Sequence, residues 1–160
     1  MARAVVDLTP SGTLARLLAA NGLHGSDWGF PTHLWRCVGF APRQSEQSPT
    51  AQALTLVAKH FAAHDLQLFQ TPFAELSVLS AERWRSLAVS ALSFGLAYSG
   101  ENSEAVASFV SGVLASFEGV HFLSNHFGNH WTALTSHTFD ACLVAHDAAL
   151  LAVIFVVDED

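Results

Sequence analysis

The chain of 160 residues holds nine histidines, and their spacing raises metal chemistry first. His60 and His64, in "KHFAAHD", are four apart. On a helix that spacing puts both imidazoles on one face, as in many zinc sites. Asp65 is next in the chain but points about 100° away around the helix. Phe61 stands where HExxH would carry its glutamate. A second group, His121, His126, His130 and His137, lies in "HFLSNHFGNHWTALTSH". Together the six supply donors for zinc or another divalent transition metal. Such a site needs three or four donors that converge, with partners that hold the rings. The second group fits neither a known zinc motif nor one helix face. An isolated HxxxH is also met as two imidazoles on the shoulder of an amphipathic helix.

Nucleophilic chemistry has less to build on. Cys142 and His146 share one face of a strand, but four residues of strand separate them by roughly 13 Å. His137 on a neighbouring strand is the alternative base. A cysteine among apolar strand neighbours reads more simply as an inert core residue. GxSxG, Walker and GxGxxG patterns are all absent. No pair of carboxylates is identifiable for acid–base work. The chain therefore reads as non-enzymatic, with no catalytic residue assigned.

Charge is more informative. Every lysine and arginine lies at or before Arg85, and the net charge is −7. After Arg85 come eight acids and no fixed cation: Glu101, Glu104, Glu118, Asp140, Asp147, Asp158, Glu159 and Asp160. Free nucleic acid and anionic membrane surfaces would be repelled by such a segment, whereas a basic protein surface would be steered toward it.

The elements that must position these groups follow from period and punctuation. Hydrophobic residues make up 51% and charged residues 13%, enough apolar content for a substantial core or an oligomeric contact. Pro10 and Leu14, Leu17 and Leu18 predict a helix over 11–20, capped by Thr9 and ended by Asn21-Gly22. Residues 24–49 read as an irregular segment anchored by aromatics, with one short helix or strand near "THLWRCVGF". Ser48 and Pro49 open a second helix. Ser80 and Asn102 open two more, each with apolar residues at three-four spacing. "LQLFQTPFAELSVL" reads as a short strand or loop. The histidine-rich stretch, with Ser124, Asn125, Gly128 and Asn129, reads as a loop leading into a sheet.

From Phe139 onward the period becomes two. Phe139, Ala141, Leu143 and Ala145 share one face; Thr138, Asp140, Cys142, Val144 and His146 share the other. Burying Asp140 and His146 without partners would be costly, so that face is exposed or carries a polar network. "HDAA" reads as a turn, and "LLAVIFVV" as a strand covered on both sides.

The fold expected is α+β in a single globular domain over 1–160. Four to five helices, within about 1–120, pack on a C-terminal antiparallel β-meander of about three strands within about 130–160. With no signal peptide, membrane-length apolar run or disulfide framework, the expected compartment is the cytoplasm. The function expected is an acidic protein-binding inhibitor of immunity or anti-defence type. It would engage a basic, nucleic-acid-handling protein through the eight acids and need no cofactor. A histidine-dependent metal protein is the alternative reading, and a structural subunit of a homo-oligomer is a third.

Overall fold

A computed structural model describes residues 3–23, 35–62, 76–97, 100–136 and 138–159. At its centre, β7 (Phe139–His146) and β8 (Leu150–Asp158) form an antiparallel hairpin with Leu143 opposite Ile154. Asp147 closes the turn: its Oδ1 accepts the backbone N–H groups of Ala149 and Leu150, both at 2.7 Å. Asp at a turn tolerates this geometry because its short side chain reaches its own backbone two residues on.

β8 is apolar on both faces, so cover is needed above and below and partners on both edges. β7 takes one edge and β2 (Trp35–Pro42) the other, antiparallel. β1 (Arg3–Asp7) runs parallel to β2. Beyond β7 lie β4 (His121–Ser124) and β3 (Ser77–Val78), each antiparallel to its neighbour. The result is a six-stranded mixed sheet of order β1-β2-β8-β7-β4-β3. A two-stranded hairpin, β5 (His126–Phe127) with β6 (His130–Trp131), stands apart from it.

The expected C-terminal meander is therefore corrected. Strands come from along the whole chain, and the last strand is central rather than terminal in the sheet. β2 falls inside the segment read as irregular, and β1 has no counterpart in that reading. The described residues contain four helices and eight strands.

Helices cover both faces of the sheet. α1 (Thr13–Ala20), α3 (Ala81–Phe94) and α4 (Glu104–Ala115) supply Leu14, Leu18, Trp84, Leu92, Phe109 and Val113 to one core. This core includes Val38, Leu143 and Ile154 from the sheet. α2 (Pro49–Ala62) covers the other face, where Ala53 and Val57 meet Cys37, Cys142, Val153 and Phe155. Each fully buried aliphatic or aromatic side chain stabilises the fold by about 1.5–3 kcal/mol. β2 and α2 approach closely because residue 39 is glycine. A Cβ there would meet Leu56 Cδ2 at 2.5 Å and Val153 Cγ1 at 3.0 Å.

The helix starts are built from the expected residue types, with shifts of position. Ser80 caps α3 by accepting from the Arg83 N–H at 3.2 Å. Ser103, not Asn102, caps α4 and accepts from Val106 N–H at 3.3 Å. Ser48 Oγ accepts from Ala51 N–H at the start of α2. α1 begins at Thr13, later than expected, because Gly12 adopts φ 62° and Asp7 serves the first turn. Asp7 Oδ2 accepts the Ala15 N–H at 2.9 Å, and Thr9 Oγ1 accepts that of Thr13 at 3.1 Å.

Candidate functional site

Between β4 and β7 the chain leaves the sheet, forms the β5–β6 hairpin and returns. A buried polar network holds this excursion. Asn125 Nδ2 donates to Thr132 O at 2.9 Å and to Asp140 Oδ1 at 2.8 Å. Asn125 Oδ1 accepts the Cys142 N–H at 2.7 Å. Asp140 Oδ2 accepts the N–H groups of Leu134 and Thr135 and the Thr135 hydroxyl, at 3.0, 2.9 and 2.9 Å. Asn125, Thr135 and Asp140 are all buried, and Leu134 is sunk in the α2-side core. Burial pushes the Asp140 carboxyl up from its usual value, against the lowering effect of Thr135, Leu134 and Asn125. The polar face inferred from Asp140 is thus an internal network.

On this base the hairpin carries a row of rings. His126 stacks on Trp131 with centroids 5.7 Å apart and planes 17° apart. Trp131 in turn lies 6.1 Å from Phe139, at 30°. Phe127 and His130 form a second pair at 6.3 Å. Gly128 makes the turn at φ 56°, where a side chain would be strained. Phe127 and His130 are exposed, and Trp131 is half-buried. His126 places Nε2 2.8 Å from Asp140 O. Burial holds the His126 imidazole below its ordinary value despite the Asp140 carbonyl and carboxylate; Arg83 adds to the lowering. Glu159 accepts the hydroxyl of Thr138, the residue before Phe139, at 2.8 Å. Aromatic faces suit a cationic side chain through cation–π attraction.

Of the histidines expected to share a metal, the described ones lie on separate elements. His60 is half-buried on α2, while His64 and His137 lie outside the described residues. His121 stacks on His146, His126 on Trp131, and His130 tilts against Phe127. Among the described residues, no three histidine, cysteine or acidic side chains form a metal-holding group.

The eight acids divide. Glu101, Glu104 and Glu118 are exposed, Glu159 is half-buried, and Asp160 lies outside the described residues. Asp140, Asp147 and Asp158 are buried, so these three do not present a charged surface. Each accepts backbone N–H groups instead. Asp158 Oδ2 takes those of Leu96 and Ala97 at 2.8 Å, and Asp147 Oδ2 takes that of Glu118 at 2.8 Å. Burial alone would raise the Asp147 carboxyl; the N–H groups of Glu118, Leu150 and Ala149 and the adjacent His146 outweigh it and hold it low.

Cys37 and Cys142 are free and buried. They flank Phe155 on opposite sides of β8. Two strand spacings, roughly 9.5 Å, separate them, beyond the reach of a disulfide. Burial pushes the Cys37 thiol up to about 12 and raises Cys142 as well, so neither is activated. A shallow groove of about 280 Å³ between α3 and α4 is lined by Glu82, Arg85, Ser86, Val89, Asn102 and Ala107.

Sequence reasoning named His126 and His130 but missed their aromatic partners. It also missed Asn125 as the hub. The usable signal was a short excursion in which amide, hydroxyl and carboxylate residues interleave with Trp and Phe. No protein-family model matches the chain, and no curated protein or solved structure matches it significantly. No helix among the described residues is long and apolar enough to cross a membrane.

Proposed function

We propose that this is a non-enzymatic binding protein, an inhibitor of immunity type, that engages a basic protein partner. The observation that carries this reading is the ring row Trp131–Phe139, held on a buried polar base. It belongs to a stretch of chain without lysine or arginine. A fixed base limits the entropy lost when the rings are covered. The net charge of −7 would steer a basic surface toward the molecule. The contact would place a partner arginine or lysine on the Trp131 and Phe139 faces. The exposed Glu101, Glu104 and Glu118 then act through long-range attraction rather than contact.

The test starts from a partner cross-linked in the native host, identified by mass spectrometry and purified. Affinity should fall steeply along a salt series. Trp131→Ala should weaken it by increasing the dissociation rate. Salt-indifferent affinity, or a variant that binds like the wild type, would overturn the proposal.

A further inference from the structure

The structure brings together two histidines that sequence spacing keeps apart. His121 opens β4 and His146 closes β7, and the β4–β7 register sets them directly opposite each other. Their rings stack with centroids 5.3 Å apart and planes 28° apart. His121 is exposed and His146 is half-buried, so the pair is reached from solvent. Neither ring belongs to the ring row of the hairpin. We infer that His121 and His146 form a two-imidazole chelate for a divalent transition-metal ion, independent of the protein-binding surface.

Opposed residues on adjacent antiparallel strands hold their Cβ atoms about 4.5–5.5 Å apart. Two imidazoles on such a base can turn their nitrogens toward one ion. Metal–nitrogen bonds of about 2.0–2.1 Å place the two donors roughly 3 Å apart. The present stacking is face to face, so binding requires rotation about the side-chain torsions. His121 is free to make that rotation because it is exposed. The strands fix the backbone beforehand, so ligation orders only side chains.

The surroundings act on a cation in both senses. Asp147 follows His146, and its carboxylate accepts three backbone N–H groups. The Glu118 N–H is one of these, which brings an exposed glutamate to the same end of the sheet. Arg43, hydrogen-bonded to Gln44 O, Gln47 O and Gln52 Oε1, acts in the opposite sense on His146. Water completes the coordination, so the site is open. Imidazole donors suit copper, nickel and zinc, with copper(II) bound most tightly in the usual divalent order.

Titration of the untagged chain with copper(II), nickel(II) and zinc(II) chloride, followed by calorimetry, tests the assignment. The expected result is one ion per chain in the order copper above nickel and zinc. His121→Ala and His146→Gln should each weaken it by roughly 10-fold or more. Copper(II) paramagnetic resonance should show two nitrogen donors, falling to one in His121→Ala. His121→Ala removes an exposed ring, and circular dichroism establishes that this variant is folded. His126→Ala and His130→Ala should bind as the wild type does. A wild type that takes up no copper, copper binding undiminished in folded His121→Ala, or loss in His130→Ala instead would overturn the assignment.

Discussion

Asn125 and Asp140 clasp each other inside the protein: Asn125 Nδ2 donates to Asp140 Oδ1 at 2.8 Å, while Asn125 Oδ1 takes the Cys142 N–H. The amide is used at both ends and the carboxylate at both oxygens. This reciprocity fixes where the hairpin leaves the sheet and where the chain rejoins it.

Asp140→Asn should destabilise the fold by about 1–3 kcal/mol. Oδ2 faces three donors and Oδ1 faces one. Either placement of the new amide nitrogen sets a donor against a donor. Urea denaturation followed by circular dichroism measures the loss, and a midpoint equal to that of the wild type would count against the network.

The acid limb of stability should depend on Asp7. Burial alone would raise its carboxyl, but Thr9 and the Ala15 N–H group outweigh it, and the folded value lies below 3.8. A carboxyl depressed on folding contributes stability that is complete above its unfolded value and lost as pH falls through its folded value. Asp140, shifted upward, works in the opposite sense and regains stability as it protonates. The difference in urea midpoint between wild type and Asp7→Asn isolates the first effect. It should be present near neutrality and shrink as pH drops below 3.8. A difference unchanged with pH contradicts this.

Both thiols should be silent in the native protein. Cys37 and Cys142 lie in the core with their thiols held protonated. A thiol-reactive disulfide reagent at mildly alkaline pH should label neither, and in denaturant should label two per chain. Prompt native labelling of either one refutes their placement.

Gly39→Ala should cost about 1–3 kcal/mol, because the added methyl overpacks the β2–α2 contact. Its neighbours are Leu56 from α2 and Val153 from the central strand. The double variant Gly39→Ala with Leu56→Ala should recover part of that loss, since the smaller side chain vacates the contact. Thermal unfolding reads both. No recovery would show that the strain lies elsewhere.

Legibility in the sequence followed physical locality. α3 announces itself through its Ser80 cap, and both α3 and α4 through three-four apolar spacing, properties of neighbouring residues; the α4 cap was read one residue early, at Asn102 rather than Ser103. The alternation of β7 and the Asp147 turn were readable for the same reason. β2 was legible only as one short helix or strand near "THLWRCVGF", because a strand buried on both faces loses its period of two, and Arg36 and Gly39 interrupt its apolar run. The pairing of β8 with β2 is a long-range fact that no window of residues contains. The acids show the same limit. Composition counts Asp140, Asp147 and Asp158 as charge, whereas folding turns each into an acceptor for specific N–H groups. His146 could be placed on a strand face, but its opposition to His121 depends on strand register.

The placement of β8 has a consequence for synthesis. A ribosome delivers β1 and β2 early, yet the edge of β2 that receives β8 stays unmatched until β8 emerges. Cys37 must wait for Phe155, and Trp35 for Val157. Until then the nascent chain presents an open apolar edge, the kind of surface that holdase chaperones occupy and that seeds aggregation. Assembly of this sheet therefore waits on β8 and is completed from the centre rather than extended from one side.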